Sequence, residues 1–267
     1  MPPGPAPEAG TKSKPLVGCL GIALCIFGSL CLIAGLVFGY YVFGNREEKS
    51  NAEAYDPVLW RNEPVDRIFP KFLGVVDAGK APVARGEYGL ANDPERGQWQ
   101  RLGISPETGC EDALKGTTAK AAQRAGCKAA LRATYTDPTG NILASVSVIV
   151  VPDDGADELG AFFSQQENST SAFSPGVRAF PVPKTVAAKW SDPHANGAAG
   201  TSSIVGTKKY SIAAVTGAAD GRKAGQLPPP WGNSRNAHYD RQPWKASAAS
   251  LSLAVEHHLQ QVAEGEA

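Results

Sequence analysis

The stretch that decides the fold is LRATYTDPTGNILASVSVIVVP, residues 131–152. Two runs rich in β-branched residues flank the sequence Asp-Pro-Thr-Gly at residues 137–140, and this composition is typical of a tight turn. The second run, residues 142–151, begins with apolar and small polar residues in alternation and ends apolar at every position, as in a strand buried on both faces. We therefore predict an antiparallel hairpin whose second strand is central in a sheet.

Helical patterns accompany this hairpin. Residues 154–166 (DGADELGAFFSQQ) predict an amphipathic helix that packs through Leu159, Phe162 and Phe163. A short helix and turn is predicted at residues 66–73, and a C-terminal helix at residues 246–263. Further strands are predicted at residues 177–182, 202–206 and 209–216, the last two joined as a hairpin. Hairpins with helices at the ends favour an α+β fold with an antiparallel sheet over a βαβ array.

The N-terminal region predicts a membrane anchor. Residues 15–45 carry no charge, and residues 16–43 form an apolar stretch longer than the roughly 20 residues that cross a bilayer. We expect a disordered Pro-rich cytoplasmic tail at residues 1–15, a transmembrane helix at 16–43, a juxtamembrane linker at 44–54 and an extracytoplasmic α+β domain at 55–267. The LVGC motif also resembles a lipobox, but a lipobox ends an apolar stretch, whereas this motif begins one.

The orientation of the anchor rests on the cysteines. Two lysines before the apolar stretch are balanced by Arg46 and Lys49 after it, so the positive-inside rule does not decide the orientation. Three of the 5 cysteines lie in the apolar stretch, and the remaining pair, Cys110 and Cys127, lies in the domain. An even pair suits an oxidising compartment, so we predict that the domain is outside the cytoplasm.

A disulfide between Cys110 and Cys127 constrains the helices between them. The intervening sequence is rich in alanine, but one straight helix would hold the two cysteines about 25 Å apart, and a disulfide needs Cα atoms within about 7 Å. Gly116 followed by Thr117 offers a break, with one helix ending at the glycine and a second starting with a threonine cap. The alternative is an unbroken helix with two free thiols.

Partners are indicated by charge and by glycine spacing. Lys plus Arg and Asp plus Glu both total 26, so no basic patch for nucleic acid is predicted. The bilayer is the expected partner of residues 16–43. Gly21, Gly28 and Gly35 recur on one helix face and suggest a homodimer seam, although glycine is common in membrane helices generally.

No catalytic residue, cofactor or metal site is predicted. The sequence contains no G-x-S-x-G elbow, P-loop or dinucleotide-binding glycine pattern. Glu256, His257 and His258, together with His238, are candidate metal ligands by residue type. Adjacent residues of a helix point about 100° apart and the H-E-x-x-H motif is absent, so a solvated helix face is the better interpretation.

One aromatic segment is a candidate recognition loop. Residues 226–244 (QLPPPWGNSRNAHYDRQPW) contain three successive prolines, which oppose both helix and sheet. Trp231, His238, Tyr239 and Trp244 gather large rings and hydrogen-bond donors there, as recognition loops do. The alternative is that these rings close the edge of the sheet.

The Pro-rich tail, the apolar stretch, CEDALKG followed by GCKAALRATYTDPTGNILASVSVIVVPD, and KKYSIAAVTGAADGRK together resemble uncharacterised single-pass membrane-anchored proteins of high-GC actinobacteria. The resemblance implies an extracytoplasmic location and a cysteine pair, and it supplies no catalytic residues. The leading hypothesis is a non-enzymatic extracytoplasmic binding or assembly module that meets an envelope protein partner. The alternative is a cell-envelope enzyme or small-ligand sensor with a site near residues 226–244.

Overall fold

The structure is a computed structural model that describes residues 16–74, 98–167, 176–206, 208–224 and 237–265. The chain divides into two compact units, Met1–Asn51 and Ala52–Ala267. The helices of the described residues are α1 Leu16–Tyr55, α2 Leu59–Asn62, α3 Val65–Ile68, α4 Cys110–Ala113, α5 Gly116–Arg124, α6 Asp153–Glu167 and α7 Ala237–Ala263. The strands are β1 Phe72–Leu73, β2 Trp99–Ile104, β3 Ala129–Thr136, β4 Ile142–Val150, β5 Ala195–Val205 and β6 Lys208–Ala218.

Helix α1 corrects two predictions for the N-terminal region. The helix does not end with the apolar stretch but continues through the charged residues 46–49, so the predicted linker at 44–54 is helical. A membrane-spanning helix needs about 20 predominantly apolar residues. Within the described part of the chain, no helix is both long and apolar enough to cross a membrane, and the predicted transmembrane helix at 16–43 is therefore wrong. The predicted disordered tail at residues 1–15 lies outside the described residues.

The domain is built on a six-stranded antiparallel sheet in the order β1-β2-β3-β4-β6-β5. The predicted hairpin is confirmed as β3 and β4, and β4 lies in the interior of the sheet between β3 and β6. Gly140 has φ +73° in the connecting turn, a conformation that glycine adopts without steric cost. The carboxylate of Asp137 accepts a hydrogen bond from the backbone N–H of Ile142 at 2.8 Å and closes the turn.

Helices cover both faces of the sheet, and two hydrophobic cores result. On the first face, alternate residues of the central strands, among them Tyr135, Val146, Val148 and Ile212, pack against the segment from α2 to β1 and against α7, which contributes Leu251, Val255 and Leu259. On the second face, the remaining alternate residues, among them Leu143, Ile149 and Val215, pack against Ala122 of α5 and against Leu159 and Phe163 of α6. Burial on both faces explains why the β4 sequence is nearly continuously apolar.

The two long helices of the domain differ from their predicted bounds to different degrees. Helix α6 extends the predicted span by one residue at each end, and Leu159 and Phe163 are buried as predicted, whereas Phe162 is half-buried. Helix α7 begins at Ala237 and contains Pro243, so the prediction of irregular structure is wrong for residues 237–244. The reason is tertiary packing, because a Cβ atom added at Gly197 would collide with the backbone of α7 around Trp244.

Three strand predictions also change. The predicted strand at residues 177–182 forms only an isolated antiparallel bridge between Val177 and Leu114. Strand β5 is longer than the predicted strand at 202–206, because it already begins at Ala195. The hairpin between β5 and β6 is confirmed, with Gly206 at φ +60° in its turn. Strand β2 was not predicted at all.

Candidate functional site

The predicted disulfide between Cys110 and Cys127 is present, with the two Cα atoms 6.4 Å apart. The chain doubles back between them because α4 ends at Ala113 and α5 begins at Gly116, whose φ is +59°. The predicted break between two helices is confirmed, but the first helix ends three residues before Gly116, and the glycine begins the second helix instead of ending the first. The threonine cap is wrong, since Lys115 is the residue before α5 and it makes no side-chain capping bond.

A buried arginine lies on the second face of the sheet. Arg132 of β3 is only 5% exposed. Its Nη1 donates to the carbonyl of Arg178 at 3.3 Å, and its Nη2 donates to Ser105 Oγ at 3.2 Å and to Glu107 Oε2 at 3.4 Å. The guanidinium also lies 5.2 Å from the centre of the Phe180 ring. Burial lowers the pKa of Arg132 and the neighbouring Glu107 carboxylate opposes that effect, so the charge is held by close partners.

A hydroxyl network lies beside the arginine. Ser145 Oγ accepts the indole N–H of Trp190 at 2.9 Å and the backbone N–H of Phe180 at 3.0 Å. A hydroxyl oxygen accepts two hydrogen bonds and donates one, so the remaining contact of 2.9 Å to Thr134 Oγ1 is a bond that Ser145 donates. Thr134 in turn donates to the Phe180 carbonyl at 2.7 Å. The two side chains thus satisfy both backbone polar groups of Phe180, as a neighbouring strand would.

Two buried polar atoms near this network lack the hydrogen bonds that its other members make. Among the described residues, Arg132 Nε and Ser147 Oγ have no hydrogen-bond partner. Ser147 lies directly opposite Arg132 in the register of β3 and β4, so the two side chains emerge from the same face. Arginine has no acceptor atom and cannot take a proton from a serine. Ser147 and Arg132 therefore cannot act together as a nucleophile and its general base.

Residues 178 and 179 also form hydrogen bonds with groups outside the sheet. Arg178 Nε donates to the carbonyls of Glu111 and Leu114 at 3.0 and 3.1 Å, at the end of α4. Asp192 Oδ1 accepts the backbone N–H of Ala179 at 2.7 Å and lies 2.9 Å from the ammonium group of Lys115. These bonds join α4, residues 178–180 and β3 into one connected polar cluster, in which Lys115 pairs with Asp192 and Arg132 pairs with Glu107.

The structure does not bring the predicted recognition residues together in a describable site. Trp231 lies outside the described residues. His238 and Tyr239 lie in the first turn of α7, and their side chains are outside the description. Trp244 is half-buried in the same helix, and its carbonyl accepts a hydrogen bond from Thr216 Oγ1 at 2.6 Å. The recognition loop stays a prediction.

The histidines of α7 have separate surroundings. His258 is half-buried, and its Nε2 lies 2.7 Å from the carbonyl of Arg67, to which it donates. His257 is exposed. In the described ranges, no three histidine, cysteine or acidic side chains are grouped so that they could hold a metal ion.

The glycine seam proposed for a homodimer lies in α1. Gly28 and Gly35 are exposed, and a Cβ atom added at either position would meet nothing within 4 Å. Gly21 is also helical, but its exposure is outside the description. The seam therefore stays a prediction.

Comparison with models of known protein families, with curated proteins and with solved structures finds no match. The cluster around Arg132 must therefore be interpreted from its own geometry. Sequence reasoning missed it, although a signal was present. A central strand implies that polar residues on either of its faces are buried, and Ser145 and Ser147 lie on one face of such a strand.

Proposed function

We propose that residues 55–267 form an extracytoplasmic binding or assembly module without catalytic activity. The Cys110–Cys127 bridge supports the location, because disulfides persist in oxidising compartments and are rare in the cytosol. The partner expected for such a module is another protein of the cell envelope.

The proposal of a non-catalytic module rests on the hydrogen bonds of the buried serines in β4. Ser145 donates one hydrogen bond and accepts two, which uses its full capacity. Serine becomes a nucleophile when a base lies within hydrogen-bond reach, and the residue opposite Ser147 is the cation Arg132. The cluster therefore fixes loops to the sheet and supplies no activated group.

The architecture indicates where a partner would bind. Helices cover both faces of the sheet, so contacts with other molecules fall to its edges and connecting segments. Loops held by a rigid scaffold are the usual location of binding residues. Exposed apolar side chains at such places include Phe72 at one sheet edge, Val186 in a connecting segment and Ile204 at the other edge.

Photo-crosslinking in the cells that make the protein tests the binding function. A photoreactive amino acid is placed at Phe72, Val186 or Ile204, and at the fully buried Leu251 as a control. We expect a discrete crosslinked protein from at least one exposed position and none from Leu251. If no exposed position gives an adduct above the unirradiated sample, the binding function is rejected.

Thiol labelling tests the location separately. In a variant with serine at the three cysteines of the apolar stretch, Cys110 and Cys127 are the remaining thiols. A membrane-impermeant reagent applied to intact cells is expected to label them only after reduction. Labelling without reduction would contradict the bridge in the cell, and labelling only after lysis would contradict the location.

A further inference from the structure

The two edges of the sheet are unequal. Strand β1 at one edge is Phe72–Leu73, only 2 residues long. Strand β5 at the other edge is Ala195–Val205, with 11 residues. Its sequence, ANGAAGTSSIV, contains no charged residue and no proline. Proteins usually protect an edge with short strands, lysines, prolines or bulges, so β1 is protected by its shortness. In the described part of the chain, the protection of β5 lies at its start, where the register is irregular between Ala195 and Gly197 and the Asn196 side chain bonds to the backbone of residues 222 and 224.

The backbone of β5 is accessible along its second half. Residues 199–203 are half-buried and Ile204 is 61% exposed, whereas the interior strands β3 and β4 are buried almost throughout. Gly200 is among the half-buried residues, and because it has no side chain its exposed surface is backbone. In the described part of the chain, β5 makes no backbone–backbone hydrogen bond except with β6. Every second residue of the stretch 199–204 therefore points its N–H and C=O groups away from β6.

The free backbone groups of this edge favour binding of another extended strand. Outward N–H and C=O groups in a strand are satisfied together by another strand, as in β-augmentation. The faces of β5 are not available to a helix, since α6 and α7 already pack against them. The chain's own residues 225–236 are poorly suited to pair there, because Pro228, Pro229 and Pro230 have no N–H to donate.

We propose that β5 pairs with β5 of a second copy of this chain, antiparallel about a two-fold axis, so that one sheet continues across both copies. A two-fold axis beside a strand places the strand antiparallel to itself, as an isologous interface requires. Because β5 is uncharged, self-pairing sets no like charges opposite each other. The inference rests on the assembly function proposed above and names its partner.

The accessible stretch is short, so the interface falls at the low end of specific interfaces and should be weak. The dimer therefore forms reversibly with concentration.

Sedimentation of the full-length chain across a concentration series tests the proposal with three variants. Ile204→Lys places a charge on the edge of each copy, and it should weaken dimerisation by about tenfold or more, because a lysine disfavours edge pairing. Ile204→Thr keeps a β-branched, uncharged residue and should stay within about twofold of the wild type. Val186→Lys is the matched control, an equally drastic change at a residue 55% exposed in a connecting segment, and it should also have little effect.

Hydrogen exchange on the wild-type chain gives a second measurement that needs no variant. Within residues 199–204, the amides that point away from β6 should exchange faster in dilute than in concentrated protein, while those of β4 stay protected at both concentrations. A wild-type chain that remains monomeric at all concentrations overturns the proposal, as does equal weakening by Ile204→Lys and Val186→Lys. Protection of residues 199–204 in the dilute monomer would show instead that the chain covers its own edge. A crosslink from Phe72 or Val186 to another protein would preserve the binding function in each of these cases.

Discussion

Replacing two serines of one strand, Ser145→Ala and Ser147→Ala, should affect stability in opposite ways. Both side chains are fully buried on the second face of β4, two residues apart, and both replacements remove a single oxygen atom. Ser145 Oγ accepts two N–H groups, whereas Ser147 Oγ has no partner among the described residues. The pair therefore separates the loss of hydrogen bonds from the loss of volume.

The magnitude follows from the groups that each substitution leaves behind. Ser145→Ala deprives the indole N–H of Trp190 of its acceptor, and since Trp190 is 2% exposed this costs about 1–3 kcal/mol. The backbone N–H of Phe180 also loses its acceptor, but Phe180 is half-buried and part of that cost is recovered by water. We expect a total of about 2–4 kcal/mol. Ser147→Ala removes a buried hydroxyl without a partner, so the free energy of unfolding should stay the same or rise by up to about 1 kcal/mol.

Urea unfolding followed by circular dichroism measures both variants. With an m-value of about 2 kcal/mol/M, Ser145→Ala should lower the midpoint by about 1–2 M, and Ser147→Ala should leave it unchanged or raise it slightly. Equal losses in the two variants would refute the reasoning, because they would show that packing volume governs this face. A large loss for Ser147→Ala alone would show that its hydroxyl has a partner.

Three further predictions concern other parts of the domain. Replacing Cys110 and Cys127 together by alanine should lower the free energy of unfolding by about 3 kcal/mol, measured by urea titration beside the reduced wild-type protein, which should match the variant. Gly155→Ala should lower the free energy of unfolding by about 2 kcal/mol or more, because the added Cβ would collide with the backbone carbonyl of Ala125, just after α5. Gly160→Ala in the same helix brings its Cβ 3.2 Å from the Cβ of Ser202, so the change should stay within about 1 kcal/mol. Burial lowers the pKa of His258 below its ordinary 6.5, so the unfolded chain binds the proton more readily and the free energy of unfolding should fall as the pH drops below that value. In unfolding titrations between pH 7.5 and about 5.5, the His258→Gln variant should lose less stability than the wild type.

The features that sequence alone could predict are those set by neighbouring residues. The turn at residues 137–140 fixes the β3–β4 hairpin locally, and Gly206 does the same for β5 and β6. The existence of a break between the two cysteines followed from geometry, because an unbroken helix is too long for the disulfide, although the break lies just before Gly116. Each of these predictions needed at most about twenty residues of sequence.

The features that sequence missed depend on contacts between distant segments. Residues 177–182 have the composition of a strand, yet the polar backbone groups of Phe180 bond to side chains of β3 and β4 instead of a neighbouring strand. Strand β2 pairs with β3 across the long connection of residues 105–128. The cluster around Arg132 was missed for a related reason. A period of two shows which residues share a face, but it does not show that α5, α6 and residues 178–190 will cover that face.

The disulfide and the buried arginine stabilise the same short helix. Cys110 is the first residue of α4, and its bridge fixes the beginning of that helix near the start of β3. Arg178 donates to the carbonyl of Glu111 in α4 and to that of Leu114, the residue after the helix, and its own carbonyl accepts from Arg132. A helix of 4 residues has little stability of its own, so it depends on these outside contacts. Reduction of the bridge should therefore loosen α4 and with it the bonds that satisfy Arg132. The cost of breaking the bridge and the cost of removing Arg178 should then be less than additive, because each releases the same helix.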